Sequence, residues 1–209
     1  MTVDPFFAVP RTIRPAEWFE RTLPSLPLRL PALTLPESIT YHVIGAGGGV
    51  WTVGLQAGAV RVQAGKVGVV SAQVAMSAAH FREAVAGALR DRLAQVLGKL
   101  GRPIALPDFS GVPHDPSRIA ALAALRGSVA IEIGDRDMGE KYRYVLTLGD
   151  GPPALEAATT TVEVDIDDLA ALGSSRTPPL KVLTSGKLRL AGDASLPMRI
   201  LTALAGAKS

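Results

Sequence analysis

Ser185-Gly-Lys-Leu-Arg-Leu-Ala-Gly-Asp-Ala-Ser-Leu-Pro-Met-Arg-Ile-Leu-Thr-Ala-Leu204 changes its hydrophobic period half way along. Leu188 and Leu190 alternate with other residues, the period of a half-buried strand. Gly192-Asp193 supplies a turn, and beyond it Leu196, Ile200 and Leu204 recur every fourth residue, as on one face of a helix. Pro197 falls in the first turn of that helix, where a missing N–H costs little. The stretch therefore reads strand, turn, amphipathic helix.

Working outward from it, Val162, Val164 and Ile166 alternate as a strand, and Asp167-Asp168 opens a short helix carrying Leu169 and Leu172. Acids at a helix start are what the macrodipole favours. Further back, residues 129–133 and 142–148 read as two antiparallel strands joined by the loop 134–140, with Gly149-Asp150-Gly151 ending the second.

This block, about residues 117–206, resembles the sterol carrier protein 2 (SCP2) family, whose C-terminal part is a Gly-Lys-Leu strand, a Gly-Asp or Gly-Asn turn and an amphipathic helix. Seventeen residues separate Leu169 from Gly186, the spacing of that family's pattern, and Pro179 stands where the family often has a proline. One glycine departs from the pattern: Ser175 occupies its place and Gly173 comes two positions early. The resemblance implies an α+β fold, with a five-stranded, mostly antiparallel sheet covered by helices. It implies non-enzymatic binding of an apolar ligand (a fatty acyl chain, sterol or isoprenoid) in a tunnel between sheet and helices. The lining it implies is Val164, Leu169, Leu172, Val182, Leu183, Leu190, Met198, Leu201 and Leu204. No catalytic residue, metal or cofactor goes with it. Burial at about 0.8 kcal/mol per CH₂ gives a sixteen-carbon chain roughly 12 kcal/mol gross, which ordering and desolvation reduce to about micromolar affinity.

The first half looks like a degenerate copy of the second. Residues 39–44, a glycine loop and residues 50–55 repeat the two-strand opening, and Val60 and Val62 suggest a third strand. Val74-Ala-Met76 followed by Ser77 and Phe81 repeats the step from strand into helix. Met76 and Val164 are 88 apart, as are Phe81 and Leu169, and as are Gly98-Lys-Leu100 and Gly186-Lys-Leu188. A fixed offset is how a repeated unit shows in sequence. The competing reading makes Gly98 the cap of one helix carrying Phe81, Val85, Leu89, Leu93 and Leu97. A second lining in this half would comprise Met76, Phe81, Val85 and Leu89.

These readings divide the chain into a proline-rich arm (1–36), a degenerate unit (37–100), a linker (101–116) and the more faithful unit (117–206). In the arm, Pro15-Ala-Glu-Trp-Phe19 suits the start of a short helix. From Leu23 to Pro36, leucine and proline interleave too closely for a long helix but are too apolar for a free tail. The arm is expected to pack across the fold or a partner subunit, or to act as a lid.

Composition bounds the rest. The chain has 209 residues, 47% of them hydrophobic, and a positive mean hydropathy, yet no apolar run long enough to span a membrane. Zero cysteines exclude disulfides and thiolate chemistry. Arginine exceeds lysine sixteen to six amid abundant alanine and glycine, a bacterial, GC-rich pattern. No signal peptide is evident and the terminal Gly-Ala-Lys-Ser is no peroxisomal address, so the cytoplasm is the default location. The net charge of +3 is scattered and forms no stripe for nucleic acid. Weak contact with an anionic membrane surface and a homodimer stay open.

Several signals point elsewhere on first sight. Gly45-Ala-Gly-Gly-Gly49 lacks both the following helix and the acidic residue of a dinucleotide loop, and reads as a hairpin loop. His42, His80 and His114 have no partners at metal-ligand spacing. Asp165, Asp167 and Asp168 fit a helix start better than a catalytic pair. The leading alternative to a carrier is a fold without a lipid cavity, serving interaction or dimerisation. An enzyme acting on a tunnel-held lipid ranks last.

Overall fold

In the computed structural model the described residues are 8–28, 38–68, 70–99, 120–121, 123–149, 151, 153, 155–156, 158–174 and 185–205. The alternating runs become strands, and each half opens on a hairpin. In the first half β1 (Ser38–Ile44) pairs antiparallel with β2 (Gly49–Gln56), and β2 with β3 (Ala59–Ala64). The chain then returns as β4 (Val70–Ser77), parallel to β1 on its other side. In the second half β5 (Gly127–Asp135) and β6 (Glu140–Leu148) form the hairpin. There β7 (Thr160–Asp165) lies parallel to β5, and β8 (Leu188–Gly192) pairs antiparallel with β7. The glycine run before Val50 is thus a hairpin loop, closed by Gly48 N–H donating to Gly45 O at 2.9 Å.

The expected five-stranded sheet is replaced by a single mixed sheet of eight, in the order β3-β2-β1-β4-β6-β5-β7-β8. The cause is at the middle. The outer edge of β4 pairs antiparallel with β6, from Ala72↔Leu148 to Met76↔Tyr144. An unpaired strand edge beside buried side chains would leave N–H and C=O groups without partners. Each half offers one such edge, and the two satisfy each other.

Helices follow β4 and β7 directly. Ser77 caps α3 (Ala78–Ala86), its hydroxyl accepting from His80 N–H at 3.0 Å. Asp165 plays that part for α5 (Ile166–Ser174), accepting from Asp167 N–H at 3.0 Å. The helix expected to run unbroken from Phe81 to Leu97 is two. Gly87 is extended (φ −111°, ψ −156°), and α4 (Ala88–Lys99) starts afresh with Ala88 N–H donating to Glu83 Oε2 at 2.6 Å. The third of the three offsets also fails to carry over. Gly98 and Lys99 lie in α4, whereas Gly186 and Lys187 precede β8. The C-terminal α6 (Ser195–Ala205) follows its turn as read, with Asp193 accepting from Ser195 N–H at 2.8 Å.

The sheet has two unlike faces, as alternation dictates. On one, the helices cover apolar side chains. The other carries Thr40, Thr52, Gln73, Ser128 and Thr147, joined in short hydrogen-bonded sets. Thr40 Oγ1 lies 3.3 Å from Thr52 Oγ1, and Ser128 Oγ 2.9 Å from Thr147 Oγ1. Gln73, 1% exposed, donates to Gly149 O at 3.1 Å and to Gly151 O, while its Oε1 meets His42 Nε2 at 3.0 Å. His42, expected to face solvent, is therefore half-buried and engaged.

Candidate functional site

The larger apolar clusters lie on the helix-bearing face, and register shows how that face changes along the sheet. One row of neighbouring side chains runs Val43, Met76, Tyr144, Ile131, Val162, Leu190 across β1, β4, β6, β5, β7 and β8. Val43 and Met76 are buried; the other four are half-buried. Burial along this row thus falls from the first half to the second.

What closes the first half is the N-terminal arm. Its helical stretch comprises α1 (Pro15–Glu17), a π-helical turn (Trp18–Thr22) and α2 (Leu23–Ser25). Phe19, 2% exposed, enters between sheet and α3. Its ring stacks on Trp51 (centroids 4.8 Å apart, planes 12° apart) and lies 5.2 Å from Tyr41 and 5.7 Å from Phe81. Val9, Ile13 and Trp18 join Val43, Met76, Phe81 and Val85 in the same core. Polar contacts pin the arm at both ends. Trp51 Nε1–H donates to Glu20 Oε1 at 2.9 Å. Buried Arg90 donates to Val9 O at 3.1 Å, and Arg11 pairs with Asp91 at 2.6 Å.

The second half is built differently. Leu196 and Ile200 of α6 pack with Leu125, Val129, Leu148, Ala72, Leu146 and Val162, a cluster without an aromatic ring. A separate junction cluster joins Leu89 of α4 to Tyr142 and Ile166, flanked by Leu93, Ile133 and Tyr144. Tyr144 O–H donates to His80 O at 3.2 Å, and burial raises its pKa well above that of a free phenol. His80 Nδ1 also meets the backbone of Arg143 at 3.1 Å. It takes the next rung of β6, beyond the last β4–β6 pair, Met76↔Tyr144.

The sequence-derived lining residues distribute as follows. Met76, Phe81 and Val85 lie in the arm-filled core, and Leu89 in the junction cluster. Val164 is buried on β7, while Leu169 and Leu190 are half-buried. Met198 is 37% exposed. Leu172, Leu201 and Leu204 belong to α5 and α6, but their side chains lie outside the described residues, as do Val182 and Leu183 entirely. Leu196 and Ile200 were legible as a helical stripe, and the structure turns that stripe onto the sheet. Ile131, Leu146 and Val162 were not singled out as lining. The filling of the first gap by Phe19 had no signal beyond the apolar character of the arm.

The acids near α5 are structurally employed. Asp165 caps the helix and pairs with Arg136 at 3.0 Å; Asp168 meets Lys187 at 3.4 Å. Arg92 ties α4 to Asp135 at 3.3 Å, to Asp137, and to Asp167 at 3.7 Å. Among the described residues no group of three His, Asp or Glu is placed to hold a metal ion, and no helix is long and apolar enough to cross a membrane. A groove of about 230 Å³ is lined by Glu132, Arg136, Lys141, Glu163, Lys187 and Arg189 among others, a charged setting rather than an apolar one.

No protein-family model matches the chain, and no curated protein matches it. Solved structures are similar to part of it, two of them sterol carrier proteins. Sterol Carrier Protein 2 Like 2 from Aedes aegypti shows 16% identity at a TM-score of 0.30, over 54% of this chain and 94% of that one. Sterol Carrier Protein 2 from Yarrowia lipolytica, apo form, shows 15% identity at a TM-score of 0.30, over 54% of this chain and 86% of that one. Similarities of this size establish no family membership.

Proposed function

We propose that the chain binds an apolar small molecule, a fatty acyl chain, sterol or isoprenoid, against the helix-bearing face of its second half, without catalysing a reaction on it. The observation that carries the reading is the half-buried row Ile131, Val162, Leu190, with Leu146 beside it. These aliphatic side chains face the helices yet keep part of their surface uncovered. Further burial of such surface by a ligand is favourable at about 25 cal/mol per Å². On the same reading the two halves are copies of one unit, supported by the hairpin, parallel strand and helix found in each.

The test is uptake of a fluorescent fatty acid, followed by native mass spectrometry of the complex. Leu190→Trp should weaken uptake at least tenfold by occupying the open end of the row, with little loss of stability because β8 is a partly exposed edge strand. Unchanged uptake in that variant would remove the second-half site. A closed interaction module is the second reading, favoured by the filling of the first-half gap with Phe19. It predicts bare protein by mass spectrometry and indifference to added lipids.

A further inference from the structure

Phe19 and Glu20 together have the outline of a small molecule. The Phe19 ring is buried in a slot of other rings, flat against Trp51. The next side chain, Glu20, stays at the surface, and its carboxylate accepts the Trp51 indole N–H at 2.9 Å. An inserted flat ring with a carboxylate at the mouth is the form of an aryl carboxylic acid. The walls that receive it belong to the fold: Tyr41 on β1, Trp51 on β2, Met76 on β4, Phe81 and Val85 on α3. The backbone that carries the two residues is itself irregular. Trp18–Thr22 form a π-helical turn between two short α-helical turns, a conformation that is rare and concentrated at functional sites. Upstream, Arg90 on Val9 O and Arg11 on Asp91 anchor the arm independently. Residues 9–11 are thus held by contacts that involve neither Phe19 nor Glu20.

We infer that the first half is a binding site for a flat, ring-bearing carboxylic acid, closed by the chain's own Phe19 and Glu20, which such a ligand displaces. The inference stands apart from the second-half site. Both tryptophans of the chain, Trp18 and Trp51, lie in the first-half core, so their emission reports on this slot.

The experiment uses the full chain with Phe19→Ala and Glu20→Ala combined, titrated with 3-phenylpropionate and with propylbenzene. The acid should give a saturable change in tryptophan emission and a raised Tm, binding at least tenfold more tightly than the hydrocarbon. That preference rests on a charge-assisted hydrogen bond. Trp51→Phe in the same background should erase it by removing the donor. Phe19→Leu keeps apolar bulk without the stacking ring, and should bind the acid more tightly than the unsubstituted chain. In the unsubstituted chain, saturating acid should speed amide hydrogen exchange across residues 15–25. Equal affinity for acid and hydrocarbon would reduce the slot to an ordinary core void. Unaltered exchange in the unsubstituted chain would make Phe19 a fixed core residue, and either result overturns the proposal.

Discussion

Gly49 shows how much a single residue can decide. A Cβ there would stand 2.6 Å from Trp51 Cη2, because the indole lies over the start of β2 to reach Phe19. The glycine run was legible as a hairpin loop; the packing duty of its last member was not, since it depends on a ring arriving from the arm. His42 is a second residue whose role appears only in the fold. Burial lowers its pKa below the ordinary 6.5, with Lys66 adding to the effect and the hydrogen bond to Gln73 opposing it. A base depressed in the folded state takes up its proton first in the unfolded chain. Stability is thus complete above the unfolded value near 6.5, declines as pH falls toward the folded value, and levels off below it. Thermal unfolding between about pH 8 and pH 5 should show that decline, and His42→Gln should flatten it. Equal slopes in both proteins would place the responsible proton elsewhere.

At the scale of elements, the clearest contrast lies between the C-terminal strand–turn–helix and the α3–α4 break. The former was legible because its period changes at a turn that only glycine suits. Gly192 has φ +88°, and a Cβ there would run into Thr159 O. The break was not legible, because the four-residue apolar spacing Phe81, Val85, Leu89, Leu93 continues across it. The spacing survives since the two helices serve different cores: Phe81 and Val85 face the arm, Leu89 and Leu93 the junction with the second half. Gly87 was the one local sign. In the arm the helix start at Pro15 was legible, whereas the insertion of that helical stretch into the core was not. Local pattern marks a segment as apolar without saying which surface will receive it. The α3–α4 corner makes a direct expectation. Glu83 supplies the acceptor for Ala88 N–H that a capping residue would otherwise give. Glu83→Ala should cost about 1 kcal/mol, read as a lower urea midpoint at unchanged slope, while Glu83→Gln recovers most of it. No loss in the alanine variant would mean water satisfies that N–H equally well.

On the scale of the whole molecule, the repeated hairpin-and-helix pattern invited a reading as two units, and the structure joins them through one sheet. Three kinds of contact make the joint. The edges of β4 and β6 pair directly. On one face Ala75, Ala130 and Val145, all 0% exposed, are covered by Leu155 and Ala158. On the other face Leu89, Tyr142 and Ile166 pack beside the ion pair of Arg92 and Asp135. Neither half can unfold without stripping a strand edge and two buried clusters from its neighbour, which argues for one cooperative transition. Tryptophan emission follows the first half alone, whereas far-ultraviolet circular dichroism follows both. The two denaturation curves should therefore superimpose in urea, and Val145→Asp, which buries a charge at the joint, should shift both by the same amount. Two separated transitions, with only one moved by Val145→Asp, would make the halves independent domains. The same joint explains why a fragment ending at residue 100 should not stay monomeric and folded: it would expose β4 as an open edge with its buried face uncovered.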